Sequence, residues 1–186
     1  MVGKRWAGIG KRAELRMDSR IEDERMKEED GWFGEVAGAE KLEGMVDITS
    51  KSLVYRKATA TGSIRLKEST LQAIRCGEIK KGDPLATARL AAILAVKETP
   101  RLIPLCHPIP ITGLVVGLEL EVMRIRATVT VTSVGRTGVE MEALTGVSVA
   151  LLNIWDMVKY LEKDEAGNYP ETEIEEIRVL EKVKGE

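Results

Sequence analysis

Aromatic side chains and cysteine are scarce in this sequence. It holds one phenylalanine (Phe33), three tryptophans and three tyrosines in 186 residues, so aromatics amount to 4%. A surface that binds nucleic acid by stacking bases on rings is therefore not expected. Two cysteines, Cys76 and Cys106, are too few for a disulfide framework or a cysteine-rich zinc site. They fit a reducing cytosol. Neither sign of charge dominates. Against 30 Asp and Glu stand 28 Lys and Arg, a formal net charge of −2, which favours neither a polyanionic nor a polycationic partner. Long apolar runs are missing too: the longest stretch without a charged residue, Leu102 to Leu118, is interrupted by Pro104, Pro108 and Pro110, which does not suit a bilayer span. Met1 to Gly10 never reach the apolar core of a signal peptide. A soluble cytoplasmic protein, with no membrane and no nucleic-acid partner, is the expectation.

What is present suits a single globular domain with an appendage. Hydrophobic residues make up 44% and charged residues 31%, enough for a core under a densely ionic surface. Residues 1–44 stand apart, with nine basic and eleven acidic residues and seven of the 17 glycines. A stretch such as Ile21 to Asp30 has no apolar period to offset the entropy of ordering it. These residues read as a charged, flexible N-terminal extension or an over-long gene start, with Met17, Met26 and Met45 as other candidate initiators. An amphipathic docking arm has only Trp6, Trp32 and Phe33 in its support. The domain proper is placed at 45–186.

From Met45 onward the patterns sharpen. Val54 to Leu66 alternates Ala58, Ala60, Gly62, Ile64 and Leu66 with polar residues and predicts a strand. Ser69 and Thr70 open a short helix that stops at Gly77. Asp83 then caps a second helix with Pro84 in its first turn, running to about Glu98 and ending before Pro100. A proline-punctuated loop covers Ile103 to Ile111. Leu114–Val122 and Arg124–Val134 form a hairpin, with Ile125, Ala127, Val129 and Val131 facing the core. A long helix from Val139 to about Lys163 and a last strand, Ile174–Val183, complete the chain. The class is α+β. Without the first short helix the order is βαββαβ, the ferredoxin-like arrangement of an antiparallel sheet with helices packed on one face, plus an extra N-terminal strand-helix region. The long helix is apolar nearly all round from Ala143 to Trp155. One helix on one sheet would not bury that surface, which predicts a subunit interface.

Four segments could carry chemistry, each with a structural alternative. His107, the only histidine, lies in Leu105-Cys106-His107-Pro108, stiffened by proline, and is either a structural hydrogen-bonding residue or a site residue. Lys80-Lys81-Gly82-Asp83 precedes a helix N-terminus, whose free N–H groups and partial positive charge favour anions; it is either a phosphate site, with Arg89 in reach, or a solvated basic turn. In Gly135-Arg136-Thr137-Gly138, Arg136 looks placed to contact a ligand, while the following Glu140 and Glu142 could be simple helix-dipole partners. Asp156 and Lys159 share a helix face at i,i+3, as an end-of-helix ion pair or as acid and base beside a pocket. Glu142 lies fourteen residues before Asp156, about 21 Å along a straight helix. A site using both spans two subunits or holds a long substrate.

Taken together, these motifs resemble the molybdenum cofactor biosynthesis protein C family, the cyclic pyranopterin monophosphate synthases. The resemblance runs from Met45 to about Lys182. It rests on Met45-Val46-Asp47-Ile48, Lys81-Gly82-Asp83, Ala86-Thr87-Ala88-Arg89, Leu102 to Pro108, Gly135 to Thr145, Asp156-Met157-Val158-Lys159 and Val179-Leu180-Glu181-Lys182. It implies an enzyme that rearranges (8S)-3′,8-cyclo-7,8-dihydroguanosine 5′-triphosphate into cyclic pyranopterin monophosphate and releases pyrophosphate. By the same resemblance Asp156 is the catalytic residue, with Lys159 beside it and Lys81 important for activity. Leu105, Cys106, His107, Met141 and Glu142 line the substrate pocket, with Glu140, Arg89 and Arg136 added as substrate contacts. The family implies a homohexamer, a trimer of dimers with the site at the dimer interface. No resident cofactor is implied, and Mg²⁺ could accompany the triphosphate. Two departures stand out. The family's Ser- and Gly-rich basic tail is replaced here by Val183-Lys184-Gly185-Glu186, and residues 1–44 have no counterpart.

Two other classes compete. An RNA-binding module would use Arg56, Lys57, Arg65 and Lys67, but lacks aromatics for stacking. A non-catalytic scaffold is disfavoured by the joint presence of Lys81, His107, Asp156 and Lys159.

Overall fold

The computed structural model describes residues 44–186; the charged extension read at 1–44 lies, except for Gly44, outside the described residues. Seven elements follow in order: β1 (Val54–Arg65), α1 (Glu68–Cys76), α2 (Pro84–Leu102), β2 (Ile111–Leu120), β3 (Arg124–Gly135), α3 (Glu140–Glu162) and β4 (Glu173–Lys184). The four strands form one sheet in the order β2-β3-β1-β4, every neighbouring pair antiparallel. This is the ferredoxin-like α+β arrangement. The additional element is α1, inserted between β1 and α2, and no strand precedes β1 among the described residues.

Alternation decides which face of the sheet is buried. In β3, Ile125, Ala127, Val129 and Val131 are fully buried, while Arg126, Thr128, Thr130 and Thr132 between them are only partly so. The buried positions of β1 include the small residues Ala58, Ala60 and Gly62. Small residues let α3 settle close to the sheet. A Cβ on Gly62 would stand 2.9 Å from both Ile177 Cγ1 and Val147 Cγ1, nearer than packed carbons approach. Opposite Gly62, β4 shifts register, and Glu176 adopts a left-handed φ of 58°. This is a bulge, with the extra residue absorbed on β4.

Helix ends account for several differences from the sequence reading. The second helix runs through Pro100 to Leu102 instead of stopping near Glu98. A proline this close to a C-terminus removes a single helical hydrogen bond, and the last turn is still closed by Ile103 N–H to Thr99 O at 2.8 Å. Strand β2 begins and ends earlier than the hydrophobic run implied, because Ile111 already pairs with Ser133. Helix α1 starts at Glu68 with Lys67 as its cap, not at Ser69. There the Lys67 N–H donates to both carboxylate oxygens of Glu162 at 3.3 Å, while Lys67 Nζ donates to Leu161 O and Lys163 O. The start of α1 and the end of α3 thus cap each other, and Thr172 Oγ1 adds a third bond to the fully buried Glu162 at 2.6 Å. Lys67 has no side-chain acceptor of its own, so local sequence gave no sign of the cap.

The apolar surface of α3, expected from the sequence to meet another subunit, is partly covered within the chain. Ala143, Val147, Ala150, Leu151, Ile154 and Val158 are fully buried because α3 packs on the sheet and also along α2. Gly146 makes that contact close: a Cβ there would meet Val96 Cγ2 of α2 at 2.8 Å. Much of the apolar surface is therefore buried within one chain. What stays open is Leu152 on α3, with Leu90 and Leu94 on α2, each more than half exposed.

Candidate active site

The first cluster forms where the loop before α2 passes the last turns of α3. Gly77 and Gly82, both with left-handed φ, bracket the loop, and Asp83 caps α2 by accepting from Leu85 N–H and Ala86 N–H. Lys81 therefore projects from a constrained loop towards the side of α3. Its Nζ lies 2.7 Å from Asp156 Oδ2 and donates to the Asp156 carbonyl at 2.9 Å. From the same helix Lys159 Nζ approaches Asp156 Oδ1 at 2.8 Å. One carboxylate is thus bridged by two ammonium groups, leaving one excess positive charge. The hydrogen bond from Lys159, then that from Lys81, holds the Asp156 pKa down at about 2, and the Lys159 pKa is raised by the same contact. While both lysines hold it, Asp156 is ionised at neutral pH and a weak base. All three side chains are about half exposed, so an anionic ligand can reach the lysines from solvent.

The second cluster surrounds the start of α3. Glu142 is 2% exposed and its Oε2 has no hydrogen-bond partner. Burial pushes its pKa up, and the charge of Glu140 adds to the effect. Burial, with the Glu142 charge nearby, likewise raises the Cys106 thiol. His107 Nε2 lies 2.7 Å from Val46 O; a carbonyl can only accept, so Nε2 carries the proton. Asp47 is held low mainly by hydrogen bonds from Thr49, with Arg136 and His107 contributing charge. The turn carrying Arg136 is braced by Arg56, which is only 9% exposed and donates to Gly135 O and Arg136 O at 3.4 and 3.3 Å. Arg136 Nε is itself buried without a partner.

The predicted residues thus fall into two groups. Lys81, Asp156 and Lys159 come together at one end of α3, and Cys106, His107, Arg136 and Glu142 gather at the other, about 21 Å away by helix rise. Leu105 and Met141 are exposed beside the second group. Glu140 pairs with Lys182. Arg89 is exposed on α2, with no ion pair among the described residues. A cleft of about 650 Å³ beside Ser50–Val54, and one of about 520 Å³ beside Gly82–Leu85, take in neither Asp156 nor Glu142. In a single chain both clusters lie outside those clefts.

Sequence reasoning did not pick out as site-supporting Asp47, Arg56, Lys182 or Tyr160, whose Oη accepts from the Lys80 backbone N–H beside the first cluster at 3.1 Å. For Tyr160 a signal existed: it follows Asp156 by four residues on one helix face. For Arg56 there was none, since its partners are carbonyls about 80 residues away.

Residues 45–185 match the model of the MoaC family. Among curated proteins, one from Methanospirillum hungatei is 63% identical over 140 residues, covering 75% of this chain and 90% of that protein. Another, from Thermococcus kodakarensis, is 60% identical over 147 residues, covering 79% and 94%. A third, from Archaeoglobus fulgidus, is 61% identical over 141 residues, covering 76% and 90%. Each is named a probable cyclic pyranopterin monophosphate synthase. This chain belongs to the MoaC family. Among the described residues no group of three or more His, Cys, Asp and Glu is placed to hold a metal ion.

Proposed function

We propose that this protein is a cyclic pyranopterin monophosphate synthase of molybdenum cofactor biosynthesis. It converts (8S)-3′,8-cyclo-7,8-dihydroguanosine 5′-triphosphate to cyclic pyranopterin monophosphate and releases pyrophosphate. The observation that carries the reading is the Lys81–Asp156–Lys159 bridge, set on a MoaC-family domain that covers almost the whole length of its curated relatives. Forming a cyclic phosphate with pyrophosphate leaving requires cations on the triphosphate. Lys81 and Lys159 supply them, drawing away from Asp156 as the phosphates arrive. Freed of both ammonium groups, the carboxylate regains proton affinity and becomes the base for ring opening and reclosure. At the other cluster, Glu142 meets the N–H donors of the guanine-derived ring with its unpartnered oxygen. His107 and Arg89 contact phosphate, Cys106, Leu105 and Met141 line the pocket, and Glu140 and Arg136 border it. Mg²⁺ accompanying the triphosphate would add positive charge on the phosphates beside Lys81 and Lys159.

The two clusters serve one substrate by coming from two copies of the chain, in a trimer of dimers with the site at the dimer interface. The separation along α3 and the exposed Leu90, Leu94 and Leu152 support this. The reaction would run in the cytoplasm. Incubating the purified chain with the cyclised dihydro-GTP substrate and following pyrophosphate and pterin product tests the proposal, with Asp156→Asn as the inactive control.

A further inference from the structure

We infer that Tyr160 is a positioning residue that, by clamping the backbone and side chain of Lys80, holds the root of the Lys81 side chain where its ammonium reaches both Asp156 and an arriving phosphate. This rests on the synthase reading for its effect on turnover, though not for its structural part.

The ion pair does not explain its own geometry. Lys81 and Asp156 are both about half exposed, and such surface pairs hold little on their own. The segment between Gly77 and Gly82 has left-handed glycines at both ends. Inside it, Ile79 is buried and Gly82 N–H closes a turn on Ile79 O at 3.0 Å. The turn stays within the loop, and Ile79 belongs to the apolar core that also holds Met157 and Val158 of α3. Tyr160 adds a directional tie from α3 to the residue next to Lys81. Its Oη accepts from the Lys80 backbone N–H at 3.1 Å, and Lys80 Nζ stands 5.2 Å from the centre of its ring. Tyr160 comes one turn after Asp156 on the same helix. The clamp on residue 80 and the acceptor for residue 81 are therefore fixed relative to each other by α3 itself. A lysine keeps four rotatable side-chain bonds, so restraining the neighbouring backbone confines the region its ammonium can reach while leaving it free to turn from one anion to another.

Three variants test this: Tyr160→Phe, Tyr160→Ala and Lys81→Ala, singly and combined. Tyr160→Phe keeps the ring beneath Lys80 and removes the acceptor. It is expected to lower kcat/KM by about 3- to 10-fold, and Tyr160→Ala by about 10- to 100-fold. In the Lys81→Ala background the same changes should have little further effect, because the clamp acts through Lys81. Equal losses in both backgrounds would assign Tyr160 a general structural role. A second readout needs no substrate. Acylation of Lys81 by acetic anhydride, followed by mass spectrometry with surface lysines as internal reference, should speed up in Tyr160→Phe, as should amide exchange at Lys80. Unchanged rates at both positions would overturn the inference. A parent inactive on the substrate but showing the expected acylation and exchange changes would instead count against the synthase reading.

Discussion

Lys81 and Asp156 are 75 positions apart in sequence and meet at 2.7 Å, and Lys159 approaches the other oxygen of the same carboxylate at 2.8 Å. The loop and the helix that carry them have no sequence pattern in common, so the fold alone brings them together.

The bridge sets the protonation of Asp156. With both lysines in place it titrates near 2, so its contribution to stability is full above the ordinary carboxylate range and fades as pH falls through about 2. Lys159→Ala removes the largest cause of the shift. Carboxyl-carbon NMR should show the Asp156 midpoint moving up, and turnover should fall by about 10²-fold or more. An unmoved midpoint would mean that the bridge does not persist in solution.

Glu142 behaves in the opposite sense. Burial raises its pKa, so its contribution to stability is fully present below the usual glutamate range and is lost as pH rises through the raised value. Glu142→Gln removes the buried charge and keeps the shape. The variant should melt at or above the parent temperature at pH 8 and lose that advantage near pH 4.5. Turnover should fall regardless. A variant less stable than the parent at pH 8 would indicate that the carboxylate has a partner in solution.

Packing against β1 leaves no room at Gly62. Ala there places a methyl group against Ile177 and Val147, and overpacking of this kind costs about 1–3 kcal/mol. Urea unfolding of Gly62→Ala should show a lowered midpoint with an unchanged slope. A neutral result would mean that β4 yields at its bulge.

If one site draws Asp156 from one copy and Glu142 from another, two inactive variants should rescue each other. Asp156→Asn and Glu142→Ala, unfolded and refolded together, should recover about a quarter of parental activity, since random pairing leaves that share of sites intact. No recovery in mixed assemblies of confirmed composition would place both residues in one chain's site.

The fold was largely legible in the sequence because alternation and capping are local. Ile125 to Val131 announced a half-buried strand, Asp83-Pro84 a helix start and Gly77 a helix end. Pro100 misled because a proline costs a helix its own N–H bond and strain on the preceding turn, which is tolerated here where only Arg101 and Leu102 follow before the helix ends. The cap on α1 was invisible, since its acceptor is Glu162 from another helix. Among site residues, Asp156 and Lys159 were readable as a pair from i,i+3 spacing alone. Lys81 could be placed with them only through the family resemblance, and Arg56 and Tyr160 depend on contacts that no local pattern encodes.

The most direct test of the account is turnover of (8S)-3′,8-cyclo-7,8-dihydroguanosine 5′-triphosphate by the purified protein, with pyrophosphate and cyclic pyranopterin monophosphate followed together. The prediction is equimolar formation of both by the parent and of neither by Asp156→Asn. A correctly folded parent that binds the substrate and forms neither product would contradict it.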